Sequence, residues 1–123
     1  MTRYRVCALL TVLLLAACAE DAATEARVRE LEQQARALAK TDGCDRLDQC
    51  AAAPMGAKPC GGPWTYLVYC KATTDEAALF RVLDELRRVE EEYNQVAGSV
   101  SDCQMVGPPE VRLDGRTCRT GTP

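Results

Sequence analysis

Eight cysteines among 123 residues constrain the fold of this chain more than any other feature. In small domains, disulfides commonly stabilise a fold whose hydrophobic core is too small to do so alone. The competing use of clustered cysteines is a structural zinc site. Zinc is disfavoured because the chain lacks histidine and has no closely spaced cysteine pair of the kind that such sites use.

The N-terminal residues determine how many of these cysteines are free to pair. Arg3 and Arg5 precede an apolar run over residues 6–17, which is too short to span a bilayer but has the form of a secretory signal. The run ends in Leu15-Ala16-Ala17-Cys18, which resembles the lipobox of bacterial lipoproteins at every position. The alternative is an ordinary signal peptide that contains a cysteine.

The lipobox resemblance implies a membrane partner and a location. In that family the chain is cut just before the cysteine, here Cys18, and a diacylglyceryl group is attached to its thiol. The new amino group is often acylated as well, so palmitate is an expected modification, and two or three acyl chains anchor a protein stably. Ala19 follows Cys18, whereas Asp there commonly favours the inner membrane of Gram-negative bacteria. The implied location is the cell envelope, and in a Gram-negative source the outer membrane, facing the periplasm.

Loss of the signal and lipidation of Cys18 leave an even number of cysteines in an oxidising compartment, which predicts a disulfide framework. These six are Cys44, Cys50, Cys60, Cys70, Cys103 and Cys118. Six cysteines allow many pairings, and sequence does not choose among them. A Cys103–Cys118 bridge across the C-terminal unit is the favoured single pairing.

Charge excludes one large class of partner. The whole chain has a net charge of −3, and loss of Arg3 and Arg5 with the signal lowers it by two, to −5. Nucleic-acid binding needs a basic surface, so no nucleic-acid partner is expected.

Residues 21–40 are rich in helix-forming residues and predict a helix. Asp21 or Thr24 is the candidate N-cap, and Gly43 is the candidate stop. We expect the helix to pack either on the domain or on another helix in a short coiled coil. Its apolar positions form one thin stripe of four residues, Val28, Leu31, Ala35 and Leu38.

A second helix has the strongest local signal. Thr73 begins a capping-box pattern in which Glu76 reaches back, and Gly98 is the expected stop. The acidic run Glu90-Glu91-Glu92 is expected to be solvated. A broad apolar stripe marks the buried face, formed by Leu79, Val82, Leu86, Val89, Tyr93 and Val96 and widened by Phe80 and Leu83.

Residues 64–70 are aromatic and β-branched, which predicts a strand whose two faces are both apolar and both covered. Residues 41–63, rich in glycine, proline and cysteine, are expected to form a loop. Residues 99–120 predict short strands, one near 103–106 and then a hairpin at Asp114-Gly115.

These elements predict a small α+β, disulfide-rich domain with two main helices, one central strand and a C-terminal hairpin. The expected organisation is a signal peptide over 1–17, a lipid anchor and N-terminal helix over 18–43, and a disulfide-stapled domain over 44–123.

Catalytic constellations are largely missing from this sequence. Without histidine, no Ser-His or Cys-His pair can form, and no glycine-rich phosphate loop precedes a helix. We therefore predict that the chain is not an enzyme and has no cofactor or metal. The remaining candidates for acid/base or Ca²⁺ chemistry are carboxylates, which we expect to be solvated surface charges: Asp42, Asp45, Asp48, Asp84, Glu85 and Glu90 to Glu92.

The proline- and glycine-rich run over 56–64 supplies the candidate binding residues, which are Lys58, Trp64 and, just beyond it, Tyr66. A disulfide-held loop of this kind is preorganised for binding. It favours either an inhibitory loop that presents Lys58 or an aromatic platform for glycan or peptide. The simpler interpretation, which we prefer, leaves Lys58 in solvent and places Trp64 in the core.

Four runs, at 57–64, 66–69, 93–94 and 101–103, resemble small cysteine-rich domains of bacterial secreted proteins and lipoproteins without an established activity. The resemblance spans 44–118 and implies a domain but no mechanism, with Cys70 as an addition to the pattern. The expected function is a non-catalytic binding or structural module of the envelope with a protein partner. The alternatives are a periplasmic inhibitor of proteases or lysozymes and a carboxylate-dependent cell-wall enzyme.

Overall fold

The computed structural model describes residue 22 and residues 24–121, so the predicted signal and the lipobox lie outside the described residues. The described part is a small α+β fold with two helices, as predicted, but its strands form two small antiparallel sheets in place of one central strand. Along the chain the elements are α1 (24–38), a 3₁₀ turn (Leu47–Gln49), β1 (Cys50–Met55), β2 (Thr65–Cys70), α2 (Glu76–Ala97), β3 (Val111–Asp114) and β4 (Thr117–Thr120).

The main core lies between the two helices and one face of the β1–β2 sheet. The α1 stripe faces this core, so α1 packs on the domain itself. Most of the predicted α2 stripe does so too, but Val96 and Phe80 are exposed, contrary to the prediction. The α1 helix ends at residue 38, five residues before the expected stop at Gly43. Nine buried side chains form the core: Leu31, Ala35, Ala53, Met55, Leu67, Tyr69, Leu79, Leu83 and Leu86.

The start of α2 differs from the predicted capping box. Asp75 caps the helix, because its carboxylate accepts a hydrogen bond from the Ala78 N–H at 2.9 Å. Thr73 instead donates to the Asp42 carbonyl, and Glu76 accepts from the Tyr69 hydroxyl at 2.7 Å. Thr73 and Glu76 therefore bind other elements through their side chains. The predicted stop at Gly98 is confirmed, with a left-handed φ of 59°.

The prediction of a loop over 41–63 is wrong for residues 50–55, which form β1. The three alanines at 51–53 and Pro54 have little intrinsic preference for strands, so the local sequence does not predict β1. Pairing with β2 imposes the extended conformation, with Cys50 opposite Cys70 and Met55 opposite Thr65.

The second face of the β1–β2 sheet packs on the β3–β4 hairpin and is joined to it by one disulfide, while a second disulfide ties β2 to the chain just before β1. Cys44 bonds to Cys70 and Cys50 to Cys118, and all four residues are buried. Val68, Val111 and Leu113 pack around them, and we call this group the cystine core. The β2 strand is thus covered on both faces, as predicted.

The third disulfide joins Cys60 to Cys103, so the predicted Cys103–Cys118 pairing is wrong. The hairpin turn at Asp114-Gly115 is confirmed, with Gly115 at a φ of 60°. The prediction of a strand near 103–106 is wrong: residues 99–110 have no regular secondary structure. Cys103 is therefore free to reach the loop between β1 and β2.

Candidate functional site

The loop over residues 56–63 joins β1 to β2 and is closed by its own backbone. The Lys58 N–H donates to the Gly62 carbonyl at 2.8 Å, and the Gly61 N–H donates to the Lys58 carbonyl at 2.9 Å. The Cys60–Cys103 disulfide ties its tip to residues 99–110. We call this segment the 56–63 loop.

Helix α2 holds the base of the 56–63 loop through a single residue, Ala57. The Ala57 N–H donates to the Glu90 carboxylate, and the Asn94 amide donates to the Ala57 carbonyl at 3.0 Å. Glu90 and Asn94 are one helical turn apart, so they lie on the same side of α2. Both polar groups of one peptide residue are thereby fixed to the helix.

Glu90 corrects the prediction that the acidic run is solvated. It is 8% exposed, and the pKa of its carboxyl is raised, chiefly by burial and further by the negative charge of Glu32. The Ala57 N–H opposes this rise by stabilising the charged form. A buried carboxylate whose bond to the backbone positions a loop is a structural element of the site.

Gly56 permits the close approach of loop and helix. Its φ is 82°, and a Cβ there would lie 2.6 Å from Trp64 Cδ1 and 2.8 Å from Glu90 Oε2. Atoms at those separations overlap, so the local packing requires glycine for space as well as for conformation.

Lys58 is buried, contrary to the preferred interpretation from sequence. It is 8% exposed, and its Nζ donates to the Gln104 carbonyl at 2.9 Å and lies 3.5 Å from an Asp102 carboxylate oxygen. Nζ also lies 5.5 Å from the centre of the Trp64 ring, a cation–π distance. The pKa of Asp102 is lowered, first by the Gln104 N–H and then by Lys58. Lys58 therefore fastens residues 102–104 to the loop.

Trp64 is not a core residue, because 45% of its surface is exposed over the Lys58 side chain. It borders a cavity of about 240 Å³ with Tyr93 and the start of α1. Tyr66 lines a different cavity, between β2 and β4. The structure thus brings Lys58 and Trp64 together and places Tyr66 apart from them.

A larger groove of about 510 Å³ lies between the 56–63 loop and α2. Prolines and glycines of the loop form one wall. Phe80, which is 40% exposed, and Leu83 supply the apolar part of the other wall, and the Arg87–Glu91 ion pair lies beside them. The groove is therefore largely apolar, but Asp84, Asn94 and Gln95 of α2 also line it and the Arg87–Glu91 pair adds opposite charges.

Most of the candidate carboxylates lie apart from one another, although Asp84 and Glu91 both line the groove beside α2. Asp45 pairs with Arg116 at 3.1 Å, and Asp48 pairs with Arg46 at 2.9 Å. On the helices, Glu85 pairs with Arg27, while Glu91 pairs with Arg87. Among the residues that the structure describes, the one cluster with metal-ligating atoms is Cys44, Cys50 and Cys118. Those sulfurs are in disulfides and offer no thiolate.

Comparison of the chain with protein-family models, curated proteins and solved structures gives no match. Within the described residues, neither helix combines the length and apolar character that a membrane crossing requires.

The roles of Gly56, Glu90 and Asn94 in holding the loop were not predicted from the sequence. Glu90 had a readable signal, because it continues the buried series of Leu79, Leu83 and Leu86 at helical spacing. A carboxylate at a core position needs a hydrogen-bond donor, and here that donor is a loop N–H.

Proposed function

We propose that this chain is a lipid-anchored envelope protein whose folded domain is a non-catalytic binding module, and that a protein partner contacts the groove between the 56–63 loop and α2. The lipobox resemblance at Cys18 motivates the anchor, and the six remaining cysteines fit an exported chain.

The fixed position of the 56–63 loop is the main support for a binding function of the folded domain. The loop is held by Glu90, by Asn94, by the buried Lys58 and by the Cys60–Cys103 disulfide. A partner that docks on such a surface loses little free energy in ordering it. The adjacent apolar groove, with Phe80 half exposed, offers the concave surface that recognition of a protein segment uses.

Neither alternative function gains support from a specific contact. An inhibitor that inserts Lys58 into a protease pocket needs a free ammonium group, whereas Nζ is bound to the Gln104 carbonyl. A carboxylate enzyme needs two free acids facing one substrate. Asp45, Asp48 and Glu85 each face an arginine, and of the two acids in the groove, Asp84 and Glu91, Glu91 is paired with Arg87.

The anchor is tested by labelling cells with palmitate. We expect incorporation in the unaltered chain and none in Cys18→Ser, which should also lose its membrane association. Cys7→Ser is the matched control, because Cys7 lies inside the predicted signal and should not affect labelling. Equal labelling of Cys18→Ser and the unaltered chain would refute the anchor.

The groove is tested by placing a photo-crosslinking amino acid at Phe80 and, as a control, at Arg36, which is exposed on α1. We expect a discrete crosslinked protein in the envelope from position 80 and none from position 36. Absence of any crosslink at position 80, or the same products from both positions, would contradict a groove-specific partner.

A further inference from the structure

The two sheets are joined at one end by a short piece of chain that lies between β2 and β4. The Cys70 N–H of β2 donates to the Lys40 carbonyl at 2.6 Å, and the Cys118 N–H of β4 donates to the Thr41 carbonyl at 2.8 Å. Asp42 pairs with Thr117 as an antiparallel bridge. At this end, residues 40–42 fill the space between the two strands as one further strand would.

The other end of that space is open. Going toward the N-terminus from Lys40, the chain turns into α1, whose last residue is 38. A cavity of about 460 Å³ is left between Tyr66–Val68 of β2 and Cys118–Thr120 of β4, with Thr41 at its closed end. We call this cavity the strand slot. Its lining has no residue in common with that of the groove beside the 56–63 loop.

The backbone of β2 presents hydrogen-bonding groups to the strand slot. In an antiparallel ladder the N–H and C=O of alternate residues point to opposite edges of the strand. Because the Cys70 N–H points away from β1, those of Val68 and Tyr66 do so as well. Pro54, opposite Tyr66, agrees with this alternation, since proline has no N–H to give to the ladder.

The same reasoning applies to β4. The Cys118 N–H points to Thr41, away from β3, so the Thr120 N–H points in that direction too. In the described part of the chain, the N–H groups of Tyr66, Val68 and Thr120 have no backbone or side-chain acceptor. Two unpaired strand edges therefore face each other across the strand slot.

The strand slot also has a local positive charge. Arg112 and Arg119 are directly opposite each other on β3 and β4, a like-charge arrangement that destabilises a sheet. Arg119 pairs with Asp114 at 3.2 Å, whereas Arg112 has no ion pair among the described residues. Both arginines line the strand slot, although the chain as a whole is acidic. An anionic occupant would remove the repulsion between them.

We propose that the strand slot binds an extended segment of a partner protein that carries an acidic side chain. The segment pairs as a middle strand with β2 and β4, while its carboxylate contacts Arg112 and Arg119. Addition of a strand to an open edge is an established mode of peptide recognition, in which main-chain hydrogen bonds supply affinity. This site goes beyond the groove in the function proposed above and does not depend on it.

The test uses the ¹⁵N-labelled full chain in detergent and a capped peptide of alternating threonine and valine with a central glutamate. We expect the peptide to slow hydrogen exchange at the Tyr66, Val68 and Thr120 amides. Replacing its glutamate by glutamine should weaken binding about threefold, as should Arg112→Gln. N-methylation of its backbone should abolish binding, and Arg36→Gln, far from the slot in sequence, should have no effect.

Three outcomes would overturn the proposal. The first is no change at the three amides at millimolar peptide, or changes confined to the groove residues. The second is equal binding of the glutamate and glutamine peptides, which removes the acidic partner. The third is a concentration-dependent dimer that protects the same amides without peptide, because the occupant would then be a second copy of this chain. Loss of the photo-crosslink at position 80 would not affect this site, so the two proposals fail separately.

Discussion

Disulfides have different roles in the cystine core and in the 56–63 loop. In the cystine core, Cys44–Cys70 and Cys50–Cys118 lie between two small sheets and are buried with Val68, Val111 and Leu113. In the loop, Cys60 and Cys103 are exposed, and their disulfide joins two irregular segments. The two buried disulfides take the place of apolar side chains in a small core, whereas Cys60–Cys103 limits the movement of the surface loop.

Sequence separation is a poor guide to the role of a disulfide. The Cys50–Cys118 bridge closes 68 residues and Cys60–Cys103 closes 43. Chain-entropy arguments assign about 4 kcal/mol to either loop, since the dependence on length is logarithmic. Burial distinguishes them, because only the cystine core loses packed apolar volume when its sulfurs are removed.

The largest expected effect comes from removing the buried bridge. We expect Cys50→Ala with Cys118→Ala to reduce the free energy of unfolding by at least about 1 kcal/mol more than Cys60→Ala with Cys103→Ala, because cavity formation adds to the entropy loss. Urea unfolding followed by circular dichroism measures both. As a second measurement, mild reduction followed by alkylation and mass spectrometry should open Cys60–Cys103 first, since its sulfurs are accessible. Equal losses of stability in the two double variants would show that burial does not distinguish the two bridges.

A smaller effect is expected within the loop, where two glycines with similar φ differ in their surroundings. Gly56→Ala should destabilise the fold by at least about 2 kcal/mol, because its Cβ would overlap Trp64 and Glu90 as well as take a left-handed φ. Gly61→Ala is the matched control: its φ is 92°, but no atom lies near the added Cβ, so about 1 kcal/mol is expected. Thermal unfolding of both variants measures the difference. Identical shifts would mean that φ alone, and not overlap with Trp64 and Glu90, determines the cost.

A comparable or smaller effect is expected from removing the buried Glu90 carboxylate that holds the 56–63 loop. Glu90→Ala should cost about 1–3 kcal/mol, because it leaves the buried Ala57 N–H without an acceptor. Glu90→Gln keeps an acceptor and should cost less.

The pH dependence of Glu90 has a definite sign. Burial raises the pKa of Glu90 above its ordinary value of 4.5, so the folded state retains a proton that the unfolded chain has already lost. The contribution of Glu90 to stability is then complete below the ordinary value and declines as pH rises through the raised one. The free energy of unfolding of the unaltered protein minus that of Glu90→Gln should therefore be larger near about pH 4 than near about pH 7. Urea titrations of both proteins at both pH values measure this difference. The opposite trend would mean that the Ala57 N–H outweighs burial.

The sequence predicted the elements whose signals are local. The α2 stripe, the stop at Gly98, the β2 strand and the Asp114-Gly115 turn all follow from periodicity or turn chemistry within a few residues. The even number of cysteines predicted a disulfide framework, and three bridges are present. These inferences need no knowledge of which segments meet in space.

Tertiary structure alone decided the pairing of the cysteines, the existence of β1 and the positions of Lys58 and Trp64. Ala51 to Pro54 become a strand because β2 lies beside them. Lys58 is buried because the carbonyl of Gln104, distant in sequence, satisfies its ammonium group, and Trp64 stays half exposed above it. Such outcomes depend on contacts between remote segments, whose free energies no local pattern records. Local sequence therefore determined the elements with a strong periodic or turn signal, whereas packing created β1 and determined which segments touch.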